Sequence, residues 1–408
     1  MRPPRGLGHT HRTTAPASGV VQYAHVLLEH AVPVKETASS AKNVGRMSLT
    51  LQPQPIALTR RSLLQAGSLG AAGLTLPAAA APEPIKIGQI GVGHAHASKL
   101  SVYRDSPDYE VVGIVEPDPE LRKRAESADL YRGLRWMERD QLLATPGLRA
   151  VLVETRVRDL LDQAEVCIAA GKHVHIDKPA GESLPQFRRL LHQAEERKLL
   201  VQMGYMYRYN PAVVLLRQFL RDGWLGEVFE IHTVMSKVVD PEGRKRLAEY
   251  RGGLMFELGC HILDLVIGVL GKPHDVHPVN RHSSTLGDSL LDNMLAVLTY
   301  PRAMATVKSS ALEVEGGSRR HFVVCGTEGT FHIQPLDNPA AVLSLSQDRG
   351  PYRKGTQDLK FPKYTRFVDD AADMARIVRG EKTTDFPYAH DLVVQETLLR
   401  ACGLPLTA

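Results

Sequence analysis

Four cysteines in 408 residues, Cys167, Cys260, Cys325 and Cys402, are widely separated and form no Cys-x-x-Cys pair. That scarcity excludes a disulfide framework and a structural zinc site, and it fits a chain that folds under reducing conditions. Long basic runs are also missing. Residues 1–80 hold 8 of the 50 Lys/Arg and 2 of the 45 Asp/Glu, which leaves the remainder with 42 basic and 43 acidic residues. The formal charge of +5 therefore belongs to the N-terminal segment, and the body carries no electrostatic footprint for nucleic acid. The apolar stretch 66–76 is too short and too rich in glycine to span a bilayer, so no stable membrane span is expected. What remains is a composition ordinary for globular proteins, 43% hydrophobic and 23% charged, in a chain long enough for two domains and a leader.

The leader has its own pattern. Arg60-Arg61-Ser62-Leu63-Leu64 precedes the apolar stretch, and Ala78-Ala79-Ala80 supplies small residues for cleavage. Charged, apolar and small segments in that order describe a signal peptide, and the paired arginines point to the twin-arginine route. A periplasmic or otherwise exported protein is expected. Residues 1–46 are rich in Pro, Ser, Thr and His without periodicity. They read as an upstream extension, with Met47 as initiator and the signal at about 47–80.

Residues 85–90, IKIGQI, read as a buried strand, followed by Gly91-Val92-Gly93-His94-Ala95-His96 and a helical stretch. A strand that turns on glycines into a helix start makes a phosphate site: the first glycine permits the turn, and the second admits backbone N–H groups to a pyrophosphate. His96 stands where a third glycine is usual. The next strand, 109–115, ends at Glu116, 23 residues after Gly93. A carboxylate there accepts hydrogen bonds from ribose hydroxyls and repels a 2′-phosphate, which favours NAD while leaving NADP possible. Strands at 150–153 and 173–176 alternate with helical stretches, as right-handed βαβ units require.

Two further stretches carry chemistry. Lys178 follows the strand at 173–176, where the loop borders the ligand crevice of a parallel sheet, so its ammonium can stabilise charge on a substrate oxygen. Residues 254–270 form an apolar helix interrupted by Glu257, His261 and Asp264 at i, i+4 and i+7, on one face. Ionisable groups there are costly unless paired or functional. His261 is the candidate proton acceptor, Glu257 either orients it or binds a substrate hydroxyl, and Asp264 is a supporting partner. The same triplet could ligate a metal, but no second histidine sits at ligand spacing, so no metal is expected. A structural histidine–carboxylate network is the other alternative. Strands at 228–234, 295–299, 303–308, 321–324 and 330–333, with a Gly326–Gly329 hairpin turn, predict a largely antiparallel second sheet.

The stretches "IGQIGVGHAHA", "AAGKHVHIDKP", "QMGYMYRYNPAV" and "GGLMFELGCHILDLVIGVLG", in that order, together with the closing "FVDDAADMARIVRGE…FPYAHDLVVQETLLRA", resemble the glucose–fructose oxidoreductase / inositol dehydrogenase / MocA family. The resemblance covers nearly all of the chain after the leader. It implies an N-terminal Rossmann domain at 83–205 and a C-terminal α/β domain with an open sheet at 206–408, its last helices at about 365–403. It also implies NAD(P)-linked oxidation or reduction of sugars, cyclitols and related polyols, and an open sheet used for homo-oligomerisation. Cofactor contacts fall by resemblance to Gly91, Gly93, His94, His96, Glu116, Thr155, Asp177 and Lys178. Catalysis falls to Lys178, His261 and Glu257, and substrate contacts to Tyr207, Arg208, Asn210 and Asp264, with Arg251 a weaker candidate. The chain departs from the family in three places. Asp177-Lys178-Pro179 replaces Glu-Lys-Pro, Thr155-Arg156-Val157-Arg158-Asp159 lacks a usual proline and histidine, and Glu257 replaces an aspartate.

Two other functions fit the same residues: a glycoside hydrolase that oxidises, eliminates and reduces again, and a non-catalytic sugar-binding protein. The second would be expected to lose Lys178 or His261, and both are present. Twin-arginine export carries folded proteins, so the cofactor can be bound before export. No free pool would replace a spent cofactor outside the cytoplasm, so a tightly held, internally recycled nucleotide is expected.

Overall fold

The computed structural model describes residues 82–407; Arg60-Arg61 and the cleavage residues lie outside them. Five strands, β1 (Ile85–Ile90), β2 (Tyr109–Val115), β3 (Leu148–Val153), β4 (His173–Ile176) and β5 (Val201–Met203), pair in parallel in the order β2-β1-β3-β4-β5. These are apolar runs buried on both faces, as parallel strands must be. Helices α1 (Leu100–Asp105), α2 (Pro119–Glu126), α3 (Arg139–Leu143), α4 (Leu160–Ala169) and α5 (Leu184–Glu196) cross between them. The strand order reverses between β1 and β3, and a ligand crevice opens there at the carboxyl ends.

The second layer is an eight-stranded sheet built from β6 (Val228–Val234), β7 (Asp275–Arg281), β8 (Asn293–Thr299), β9 (Met304–Ser310), β10 (His321–Gly326), β11 (Gly329–Ile333), β12 (Ala340–Leu345) and β13 (Gly355–Lys360). Its order is β13-β12-β11-β10-β6-β9-β8-β7, antiparallel except for β6 with β9. Alternate residues such as Met294, Ala296 and Leu298 are buried, while Leu295 and Val297 on the opposite face are half-exposed. The remaining helices are α6 (Pro211–Arg221), α7 (Pro241–Leu247), α8 (Cys260–Leu270), α9 (Val368–Val378) and α10 (Tyr388–Cys402). Among the described residues, no helix is long and apolar enough to cross a membrane.

Two expectations change. Of the two C-terminal helices, α10 packs on α8 and β7, but α9 does not stay with the second sheet. Ala371, Met374, Ala375 and Val378 of α9 pack in one core with Ile85, Ile87, Leu100 and Tyr103, covering a face of the parallel sheet. Tyr109 donates to the Ala371 carbonyl at 2.7 Å, and Arg379 pairs with Asp108 at 2.6 Å. The helix expected at 254–270 is also not uniform: residues Met255–Gly259 form a π turn before the α-helical Cys260–Leu270. The wider turn shifts the phase of Glu257 relative to His261.

Candidate active site

The glycine loop folds tightly onto the end of β3. Gly91 has φ +91°, and a Cβ there would lie 2.4 Å from the Thr155 backbone nitrogen. Only glycine satisfies both conditions. The His94 N–H donates to the Glu154 carbonyl at 2.9 Å, which completes the turn. Glu116, at the end of β2, accepts from Val92 N at 2.7 Å and from Asp118 N at 2.9 Å. Each of its oxygens keeps a lone pair for a ribose hydroxyl. A cavity of about 300 Å³ beside it is lined by Gly93, Glu116, Thr155 and Arg156, and a neighbouring one of about 450 Å³ shares Glu116 and Pro117. The Thr155 hydroxyl is buried without a partner. A backbone cradle, an uncommitted hydroxyl and a ribose-side carboxylate fit a nicotinamide dinucleotide, which Gly91, Gly93, Glu116 and Thr155 would hold.

His94 and Asp177, expected as cofactor contacts, are committed below this loop. The Asp177 carboxylate is fully buried and takes the Lys99 ammonium at 2.5 Å, His96 Nδ1 at 3.1 Å, His94 Nδ1 at 3.3 Å and the Lys178 N–H at 2.7 Å. Lys99 also meets Glu154 at 3.1 Å and His175 at 2.8 Å. Burial opposes ionisation of Asp177, but His94, Lys99 and His96 outweigh it and hold its carboxyl well below the usual range. Burial pushes Glu154 the other way, up to about 7. His94, His96 and Asp177 converge closely enough to hold an ion, yet the Lys99 ammonium already supplies the positive charge. The apolar β3 ending in Glu154-Thr155 carried a signal that sequence reasoning missed: a carboxylate at the mouth of a buried parallel strand. Phe367, held at φ +70°, lays its ring 5.6 Å from that of His96.

Lys178, Glu257 and His261 lie close together, but in a different pairing from that expected. Lys178 Nζ donates to the Glu257 carbonyl at 2.7 Å and to its carboxylate at 3.3 Å. Burial disfavours the ammonium, while nearby negative groups, Glu257 foremost and Asp177 among them, more than offset this and raise its pKa. Glu257 therefore does not orient His261; the π turn points its carboxylate at the lysine. His261 is 2% exposed, with Nδ1 buried and without a partner. Its ring packs edge-on against Tyr207 at 5.2 Å and lies 6.2 Å from His96. Burial first, then the Lys178 and His96 charges, lower its pKa well below the ordinary imidazole value. It is thus a neutral base with a free nitrogen.

The expected substrate ligands are mostly bonded to other protein groups. Arg208 is buried between the rings of Tyr205 and Phe386, with its Nη2 2.6 Å from Asp264 and 2.5 Å from Asp391. Asp264 also takes His390 Nε2 at 2.9 Å, so it supports Arg208 and not His261. With Glu257 and Asp264 turned to different partners, the Glu257–His261–Asp264 triplet does not converge on an ion. Asn210 is the N-cap of α6, accepting from Ala212 N at 2.9 Å while its amide donates to the Leu336 carbonyl at 2.8 Å. Tyr207 spends its hydroxyl on Asp337. Arg251 pairs with Glu182 at 2.8 Å on the surface.

Residues 85–205 match the oxidoreductase family with an NAD-binding Rossmann fold, and residues 213–332 match the GFO/IDH/MocA C-terminal domain. The chain is 27% identical over 291 residues to the uncharacterized oxidoreductase YdgJ of Escherichia coli, across 69% of this chain and 80% of that protein. It is 23% identical over 337 residues to scyllo-inositol 2-dehydrogenase (NADP(+)) IolW of Bacillus subtilis, across 80% of this chain and 89% of that one. The solved structure of UDP-N-acetylglucosamine 3-dehydrogenase GnnA from Acidithiobacillus ferrooxidans superposes with a TM-score of 0.66 at 20% identity, covering 79% of this chain and 98% of GnnA, which establishes the shared fold. The chain belongs to the GFO/IDH/MocA family of oxidoreductases, with an NAD-binding Rossmann domain followed by the family's C-terminal domain.

Proposed function

We propose that this oxidoreductase is exported and acts on a sugar, cyclitol or related polyol, using a nicotinamide nucleotide that it holds tightly and recycles within each cycle. The observation that carries the reading is His261: a buried neutral imidazole with an unpartnered Nδ1, near enough to the Lys178 ammonium to feel its charge. The nicotinamide, when bound, accepts or returns a hydride. His261 takes the hydroxyl proton as an alcohol carbon becomes a carbonyl, and Lys178 donates a hydrogen bond to the oxygen that changes bond order. Glu257 keeps that ammonium charged. Gly91, Gly93, Thr155 and Glu116 hold the nucleotide, and the Glu116 carboxylate favours NAD. The inositol and amino-sugar dehydrogenase activities named for IolW and GnnA support a polyhydroxylated substrate. The half-exposed Leu295, Val297 and Val323 and the exposed Val342 on the outer face of the eight-stranded sheet support association of copies through that face.

Denaturing the purified protein and measuring the mass and absorbance of what is released tests the retained cofactor. Close to one NAD(H) per chain is expected. A protein that releases none, and binds added NAD no better than a Gly91→Ala variant does, would refute the reading.

A further inference from the structure

The end of the eight-stranded sheet that faces His261 gathers cations that its own acids do not balance. Lys237 lies just beyond β6, with its N–H on the Ser310 carbonyl at 3.0 Å. Arg320 lies just before β10, and its Nε donates to the Ser236 carbonyl at 3.2 Å. The Arg320 guanidinium and that of Arg366 share one carboxylate, Asp337, each at 2.5 Å, and the Tyr207 hydroxyl takes Asp337 as well. Tyr207 in turn packs its ring on His261, so the cluster sits one tyrosine's length from the proposed base.

The charges around Lys237 are those of Glu257, Lys178, Arg320 and Asp240. Glu257 is bonded to Lys178, and Asp240 caps α7 through the Gly243 N–H at 2.8 Å. Among the described residues, Lys237 makes no ion pair and no side-chain hydrogen bond. Burial, reinforced by Lys178 and Arg320 against the pull of Glu257, lowers its pKa. Lys178, Lys237, Arg320 and Arg366 thus face Glu257 and Asp337 directly, while Asp177 is bound to Lys99 and Asp240 to the start of α7. Ammonium and guanidinium groups are donors only. A neutral polyol, whose hydroxyls donate as well as accept, leaves the Lys237 ammonium without a charge partner.

Building on the polyol reading above, we infer that the substrate carries an anionic group, a carboxylate or a phosphate ester, held by Lys237 and Arg320 while its reacting carbinol lies between Lys178 and His261. Charge-assisted bonds to an anion would give the Lys237 ammonium a partner and engage the guanidinium beside it. Such a contact both selects the substrate and fixes which hydroxyl reaches His261.

The test uses the cofactor-loaded protein with glucose and myo-inositol as neutral probes and glucuronate, glucose 6-phosphate and inositol 1-phosphate as anionic ones. Calorimetry gives the Kd, and the absorbance of the bound nicotinamide reports turnover. At least one anionic probe is expected to bind about tenfold or more tightly than its neutral parent, with the preference falling as salt rises. Glucuronate or the phosphates then identify the kind of anion. Lys237→Gln should lose about tenfold or more for that probe and less than about threefold for the parent, and Lys237→Arg should restore most of it. Neutral probes that bind as tightly as every anionic one, or Lys237→Gln weakening both alike, overturn the inference. Neutral probes turned over without preference leave the polyol reading standing and remove this one. An anion bound through Lys237 that never changes the nicotinamide does the reverse.

Discussion

Lys178 and Glu257, 79 residues apart, meet across the crevice: the lysine ammonium reaches both the backbone carbonyl and the carboxylate of the glutamate. One comes from the loop after β4 of the parallel sheet, the other from the π turn before α8. The carboxylate's effect on the lysine follows from charge alone. Burial would favour the neutral amine, and Glu257 reverses that.

Removing that charge should therefore show in the pH profile. Lys178 acts as a cation, so activity falls as pH rises through its pKa, and the raised value keeps the plateau extended to high pH. In Glu257→Gln the alkaline limb of kcat/KM should move to lower pH, with the folded protein retained. Lys178→Met should lower kcat by about 100-fold, the order expected for a lost oxyanion donor. An unmoved alkaline limb in Glu257→Gln would show that the pair does not set the lysine's charge.

His261 predicts the other limb. Oxidation needs the neutral imidazole, so the rate rises as pH climbs through its pKa. Burial places that pKa well below 6.5, so the acid limb should lie below the ordinary histidine range. Lys178 contributes to the depression, so Lys178→Met should shift the acid limb upward. The measurement is kcat/KM against pH for the oxidation direction.

Arg208 and Asn210 should affect stability more than substrate recognition. Arg208→Ala strands the buried Asp264 and Asp391, which costs about 3–5 kcal/mol in comparable pairs. Asn210→Ala removes the α6 cap and the bond to Leu336, a loss of about 1–2 kcal/mol. Urea unfolding measures both. Asn210→Ala should keep its KM in the folded fraction.

Gly91→Ala tests the nucleotide cradle. The added methyl meets the Thr155 backbone at 2.4 Å in a left-handed conformation, so nucleotide retention should be lost. Gly93→Ala should be milder, because the nearest atom, at 3.2 Å, is a side-chain methyl of Leu121. The amount of nucleotide released per chain on denaturation distinguishes the two.

The buried strands were legible because they are apolar runs bounded by Gly, Pro and acidic residues: β1, β2 and β4 begin and end where the sequence places them, and so does the alternating, half-buried β6. Three outer-sheet strands were not. β7 (DVHPVNR) and β13 (GTQDLK) are polar edge strands, and β12 (AAVLSL) reads equally well as helix. The site was legible as residue types, since Lys178 meets Glu257 and its charge reaches His261. Their pairing was not, because a π turn breaks the 3.6-residue phase and leaves no periodic trace. Burial hid the rest. Arg208 resembled a ligand because nothing local announces Asp391, 183 residues on. Nothing local marks Lys99 either, because Glu154, His175 and Asp177 lie on or just beyond other strands.

The most direct measurement is the near-ultraviolet absorbance of the nicotinamide on mixing the cofactor-loaded protein with polyols, in the wild type and in His261→Ala. With His261 as the base, one or more polyols should reduce the bound NAD in the wild type, and His261→Ala should do so about 100-fold or more slowly, with cofactor content unchanged. Reduction at the wild-type rate in His261→Ala, or no reduction by any polyol in a cofactor-replete wild type, would contradict it.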